Sequence, residues 1–126
     1  MTRTFKFRAW DKTIKSWLGD FRIHPDGSVM KISGMKEGKW QYSTEVFEDV
    51  ELMQFTGLKD KNGKEIYEGD IVHYTFGAHD WNMEVRFEDG GWCVKNSAAN
   101  IYELSGMAEK YIEFIGNIHE NPELIK

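Results

Sequence analysis

The sequence predicts a mainly antiparallel β fold in one domain spanning residues 1–126. Three observations predict it. Six or more short segments alternate apolar and polar residues with period two, the period of a pleated strand. Twelve glycines against two prolines punctuate those segments, so glycine carries the turns. Phe 8, Trp 5 and Tyr 5 make aromatics 14% of the chain, and rings favour pleated, half-buried surfaces. A chain of 126 residues is too short for two comfortable cores. Its net charge of −5 argues against gripping nucleic acid through bulk positive charge. Its 40% hydrophobic content argues against disorder by composition. One cysteine, Cys93, forbids an intrachain disulfide and fits a reducing compartment. The first residues lack an apolar signal region, and no apolar run reaches the length of a membrane span.

Taken in order, Phe5 to Trp10 alternates, with Phe5, Phe7 and Ala9 on one face and Lys6, Arg8 and Trp10 on the other. Residues 11–13 turn, and Trp17, Gly19, Phe21 and Ile23 share the next face. His24-Pro25-Asp26-Gly27 is a turn in which proline presets φ and glycine accepts φ > 0. Val29 to Ile32 returns, and Glu37-Gly38-Lys39 turns again before Trp40 and Tyr42. From Thr44 neither period fits until Glu51 to Thr56, read as a strand. Asn62-Gly63 is the strongest short hairpin signal in the chain. Gly69-Asp70 turns the chain into Ile71 to Phe76, and Met83 to Phe87 pairs with Trp92 to Val94 across Glu88-Asp89-Gly90-Gly91. Residues 98–110 hold the one internal helical face, from Ile101, Leu104, Ala108 and Tyr111; Gly106 limits it to a turn or two. Tyr111 to Ile118 reads as a strand, and Asn121-Pro122-Glu123 starts a terminal helical turn. The alternation places Phe5, Phe7, Phe21, Leu52, Phe55, Ile71, Val85, Phe87, Ile115 and Ile118 in the core.

Chemical motifs are sparse. Gly57 to Gly63 followed by Lys64 is not a phosphate loop, because the glycine spacing is one residue too long and Glu65 stands where Ser or Thr would hold magnesium. Asp60, Asn62 and Glu65 lack the regular ligand series of a calcium loop, and a solvated turn explains them. The four histidines are scattered without metal-helix spacing, so no metal or other cofactor is expected. No nucleophile elbow occurs, and the carboxylates single out no catalytic pair. One feature stands above background. Residues 1–17 hold Arg3, Lys6, Arg8, Lys12 and Lys15 against Asp11 alone, a local net of +4. Lys6, Arg8 and Trp10 on one strand face would offer phosphate pairing and base stacking. Lysine guarding a strand edge and arginine packed on tryptophan explain the same residues structurally.

Four stretches together resemble the YopX family of small bacteriophage and prophage proteins. They are Lys6 to Asp11, Leu52 to Tyr67, Glu68 to Val72, and Ile115 to Leu124, in that order and spacing. The resemblance covers essentially the whole chain; residues 13–50 and 73–110 carry it least. It implies a mainly β fold with barrel-like antiparallel sheets, a phage or prophage gene in a bacterial host, and a homo-oligomer. It supplies no reaction and no catalytic residue. Gly57, Asn62, Gly63, Gly69 and Asp70 are read as its structural motif.

The resulting expectation is a β module in the host cytoplasm that acts by binding or self-assembly, as a homo-oligomer or with an unknown host or phage partner, and not in a membrane. The alternatives are a nucleic-acid-associated accessory protein using Lys6, Arg8 and Trp10, and a small hydrolase whose site only coordinates would reveal.

Overall fold

A computed structural model describes residues 3–125, without the side chains of Ser33, Trp40 and residues 42–45. The expectations for residues 1, 2 and 126, and for the side chains of Trp40, Tyr42 and Thr44, lie outside the described residues. The chain is mainly β, its antiparallel sheets carrying a half-barrel curl. The strands among the described residues are β1 Phe7–Asp11, β2 Ser16–Trp17, β3 Arg22–Ile23, β4 Val29–Lys36, β5 Lys39–Val46, β6 Val50–Lys59, β7 Glu65–Tyr67, β8 Asp70–Phe76, β9 His79–Glu88, β10 Gly91–Asn96, β11 Ile101–Glu103 and β12 Ile112–Asn117. Among the described residues helix is confined to single 3-10 turns at Leu104–Gly106, Glu109–Tyr111 and Pro122–Ile125.

The chain divides into two compact units. One comprises residues 8–52. In it β1 pairs with β2, Trp10 opposite Trp17, and a three-stranded sheet runs β3-β4-β5. The β4–β5 connection turns on Glu37 (φ 52°) and Gly38 (φ 74°), the two positive-φ positions of a tight hairpin turn.

The other unit comprises residues 1–7 and 53–126. Its centre is a five-stranded sheet in the order β11-β10-β9-β8-β12. The β9–β10 hairpin is the one the alternation predicts, closed by Asp89 (φ 52°) and Gly90 (φ 79°), with Val85 opposite Val94. Ile66, Val72, Met83, Val85, Val94, Leu104 and Ile112 form one buried cluster. The expected internal helix is two separated turns. Ile101 lies on β11 and is exposed, while Leu104 is the buried member.

The predicted core divides. Phe55, Ile71 and Val85 are buried, and Phe21, Leu52, Ile115 and Ile118 are half-buried. Phe5, Phe7 and Phe87 are instead 61%, 39% and 52% exposed. Phe5 precedes the first residue of β1 and lies under the Arg3 guanidinium, 5.0 Å from the ring centre. Phe87 sits beyond Val85 at the turn end of its hairpin, edge-on to Trp92 at 5.0 Å. Alternation fixes which face a side chain takes, but not how far along the strand that face stays covered.

Ile71 is fully buried, opposite Glu84 in the β8–β9 register. Ile71→Ala is expected to lower stability by about 2–5 kcal/mol, read as a lower urea midpoint with an unchanged slope.

Candidate functional site

The central motif builds turns. Gly57 has φ 86° within β6, where the β6–β7 register shifts between Phe55 and Lys59. The chain then reverses through residues 60–63: Gly63 N–H donates to the Asp60 carbonyl at 3.0 Å, and Asp60 N–H to the Lys64 carbonyl at 2.9 Å. Gly63, at φ 80°, takes the left-handed position that follows the turn. Asp60 is not the solvated residue expected, but is 1% exposed. Its Oδ1 accepts the N–H groups of Asn62 and Lys64, and its Oδ2 accepts Phe114 N–H, each at 2.9 Å. Lys61 N–H donates to the Ile112 carbonyl at 2.9 Å. The loop therefore covers one edge of β12.

The next motif residues repeat this logic. Gly69, at φ 85°, donates to the Val85 carbonyl and accepts from Ile118 N–H, both at 2.9 Å. A Cβ there would stand 3.0 Å from Met53 Sδ. Asp70 is fully buried, and its Oδ2 accepts Tyr67 N–H at 2.8 Å. Near the end, a Cβ on Gly116 would fall 2.5 Å from Asn121 Oδ1, while Asn117 Oδ1 accepts the N–H groups of His119 and Glu120.

The basic N-terminal residues are placed differently from their strand alternation. Lys6 Nζ contacts Glu65 Oε2 at 2.6 Å and lies 5.5 Å from the Phe55 ring centre. The hydrogen bond to Glu65 raises the Lys6 pKa above its ordinary value, against a weaker lowering by desolvation. Arg8 stacks over Trp17 at 4.5 Å. Trp10, read on the same strand face as Lys6 and Arg8, is 8% exposed, with Trp17 edge-on at 4.9 Å. Its neighbour Ala9 is also buried, so this end of β1 is covered on both faces.

A groove of about 890 Å³ opens in the unit of residues 1–7 and 53–126. Arg3 and Lys6, the β6 residue Lys59, and the hairpin rings Phe87 and Trp92 line it. Gly57, Gly90 and Gly91 line it too, each with open space where a Cβ would stand. Sequence reasoning missed Lys59, Phe87 and Trp92 as site residues. Phe87 and Trp92 are cross-strand partners flanking a tight turn, and that pairing was the legible signal.

A second constellation lies on β8 and β9. His73 Nε2 contacts Asp80 Oδ1 at 2.6 Å, and His73 Nδ1 contacts Asn82 Oδ1 at 2.6 Å. Asn82 Nδ2 donates to the Leu124 carbonyl at 2.9 Å, which orients the amide. Both ring nitrogens thus face side-chain oxygens. The constellation ties the C-terminal turn to the sheet. The hairpin register sets Asn82 opposite His73 and Asp80 two residues away, on the same face. Cys93 is buried, and burial foremost, with the Glu88 charge, pushes its thiol pKa up, away from a reactive thiolate. Among the described residues no group of three or more His, Cys, Asp or Glu is placed to hold a metal ion. No helix among them is long and apolar enough to cross a membrane.

Residues 6–126 match the family model described as YopX protein. The chain belongs to the YopX family. Two solved structures are similar over 99% of this chain and 100% of their own. Protein EF1440 from Enterococcus faecalis shares 30% identity at a TM-score of 0.62. Protein YopX from Bacillus subtilis shares 25% identity at a TM-score of 0.65. No curated protein matches. In this YopX-family chain, the first stretch that carried the resemblance supplies β1, and the other three build the turns and the end of β12 described above.

Burial acts to raise the Asp60 pKa, but backbone N–H donation from Phe114, Lys64 and Asn62, with the Lys64 charge, outweighs it and leaves the carboxyl below its ordinary value. A depressed folded-state pKa means that protons bind the unfolded chain more readily. The stabilisation is therefore present above the unfolded pKa, about 3.9, and is lost as pH falls through the lower folded one. Urea titrations from neutral pH to about pH 3 should show stability falling at the acid end, and less steeply in Asp60→Asn.

Proposed function

We propose that this YopX-family chain is a phage- or prophage-encoded module of the bacterial cytoplasm that works by binding and self-assembly rather than by catalysis. The observation that carries the reading is an open run of rings on the five-stranded sheet. Phe76 is 49% exposed and meets Tyr111 edge-on at 4.7 Å. Tyr74 lies 6.5 Å from both Phe76 and His79, His79 meets Trp81 at 4.6 Å, and Trp81 stacks on Tyr102 at 5.4 Å. Tyr74, Trp81 and Tyr102 are half-buried and pack on the central cluster, so the run extends the core outward to solvent. Exposed apolar surface rimmed by polar residues marks protein contacts, and aromatic rings dominate the energetic centre of such contacts. The Asp60 loop occupies β12's outward groups, which favours assembly through a sheet face over that edge. A closed homo-oligomer using the same patch on every copy is the simplest solution.

Light scattering coupled to gel filtration should give a mass at least twice the 14.7 kDa chain. Phe76→Ser should shift it toward the single chain while leaving the far-ultraviolet dichroism unchanged. A single-chain mass for the unaltered protein across micromolar dilution contradicts self-assembly.

A further inference from the structure

The groove of about 890 Å³ has a chemistry separate from the ring run. Its cations are Arg3, Lys6 and Lys59 and its acid is Glu65, a local net of +2 on a chain of −5. Glu65 is engaged by Lys6 at 2.6 Å. Arg3 and Lys59 form no ion pair among the described residues; Arg3 rests over the Phe5 ring. Beside these cations stands the Phe87–Trp92 pair, with Phe87 52% exposed. The three glycines of the lining add no side chain that would keep a flat ligand from the rings.

Arg3 and Lys59, with no ion pair among the described residues, beside the exposed Phe87 ring and the half-buried Trp92 ring suit a ligand that alternates negative charge with planar, stackable groups. Phosphate takes the first role through charge, and a base takes the second on any aromatic face, without sequence preference. A purely acidic peptide would satisfy Arg3 and Lys59 and leave the rings in water. An apolar peptide would leave the cations unmatched.

We propose that this groove binds a short single-stranded nucleic-acid segment, with phosphates at Arg3 and Lys59 and a base stacked on Phe87 or Trp92. The proposal deepens the reading of the chain as a binding module and rests on it. It also moves the nucleic-acid face from Arg8 and Trp10, where the ring is buried, to residues that line open space.

The test is fluorescence anisotropy of a labelled ten-residue oligothymidylate titrated with the full chain in low salt. Two phosphate contacts, at a slope of about 0.7 per contact, predict that raising salt fourfold weakens binding roughly sevenfold. Lys59→Glu should weaken binding and flatten that dependence. Phe87→Ala should weaken it at least about fivefold, the lower end for one stacked base, with an unchanged dichroism spectrum. Lys95→Glu, on the hairpin face opposite Trp92, should leave it unchanged. Thymidine monophosphate should compete only at much higher concentration; competition equal to the oligomer overturns the strand in favour of a free nucleotide. Hexaglutamate binding as well as the oligomer overturns it in favour of any polyanion. Absence of saturable binding at millimolar protein overturns the proposal while leaving the assembly mass, and so the wider reading, intact. A fall in assembly mass in Phe87→Ala overturns it by assigning the rings to a subunit contact.

Discussion

The Asp60 carboxylate is the constraint on which the larger unit depends. It is buried, and its two oxygens take three backbone N–H groups from two distant stretches of chain. Asn62 and Lys64 belong to the β6–β7 turn; Phe114 belongs to β12. One side chain thereby closes a local turn and joins it to a strand 54 residues away in sequence. Charge-assisted hydrogen bonds of this kind are stronger than neutral ones and costly to leave unmade in a dry site. The loop also removes a hazard. β12 lies at one end of its sheet, where an uncovered row of N–H and C=O groups would template aggregation.

Covering that edge changes which surfaces remain for function. Buried Asp70 and the tightly packed Gly69 and Gly116 are likewise committed to closing turns against the sheet. The family motif thus frames both open surfaces: the ring run from Tyr111 to Tyr102 lies outside it, whereas the cationic groove joins Lys6, Gly57 and Lys59 of the motif stretches to Phe87 and Trp92 of the β9–β10 hairpin. Packed elements set the geometry, and hairpin ends and loops carry much of the open surface.

Much of the frame was legible in the sequence. Period-two alternation with glycine turns gave the β9–β10 hairpin and the β8 strand, and Gly63 and Gly69 fall where φ is positive. Three features were not legible, for one shared reason. Asp60 reads as a turn residue because its third partner, Phe114, is reachable only through tertiary structure. Phe5, Phe7 and Phe87 obey the alternation yet lie where no opposing layer covers them. His73 meets Asp80 through strand register rather than adjacency. The groove residues Lys59, Phe87 and Trp92 were not singled out, because the basic count of residues 1–17 pointed to Lys6, Arg8 and Trp10. Counting local charge identifies a region, and only packing decides which of its side chains reach solvent.

Amide hydrogen exchange in Asp60→Asn shows whether this carboxylate holds the β12 edge. Asparagine keeps the shape but replaces one oxygen with a donor, so it cannot accept from both the turn and β12. With Oδ1 retaining the Asn62 and Lys64 amides, the Phe114 amide loses its acceptor. The account predicts that Phe114 exchanges at least roughly tenfold faster, as expected for losing a buried bond to a charged group. Amides of the β9–β10 hairpin should keep their protection. Unchanged protection at Phe114 would contradict the account, because it would mean that the β12 edge is held by something other than the Asp60 carboxylate.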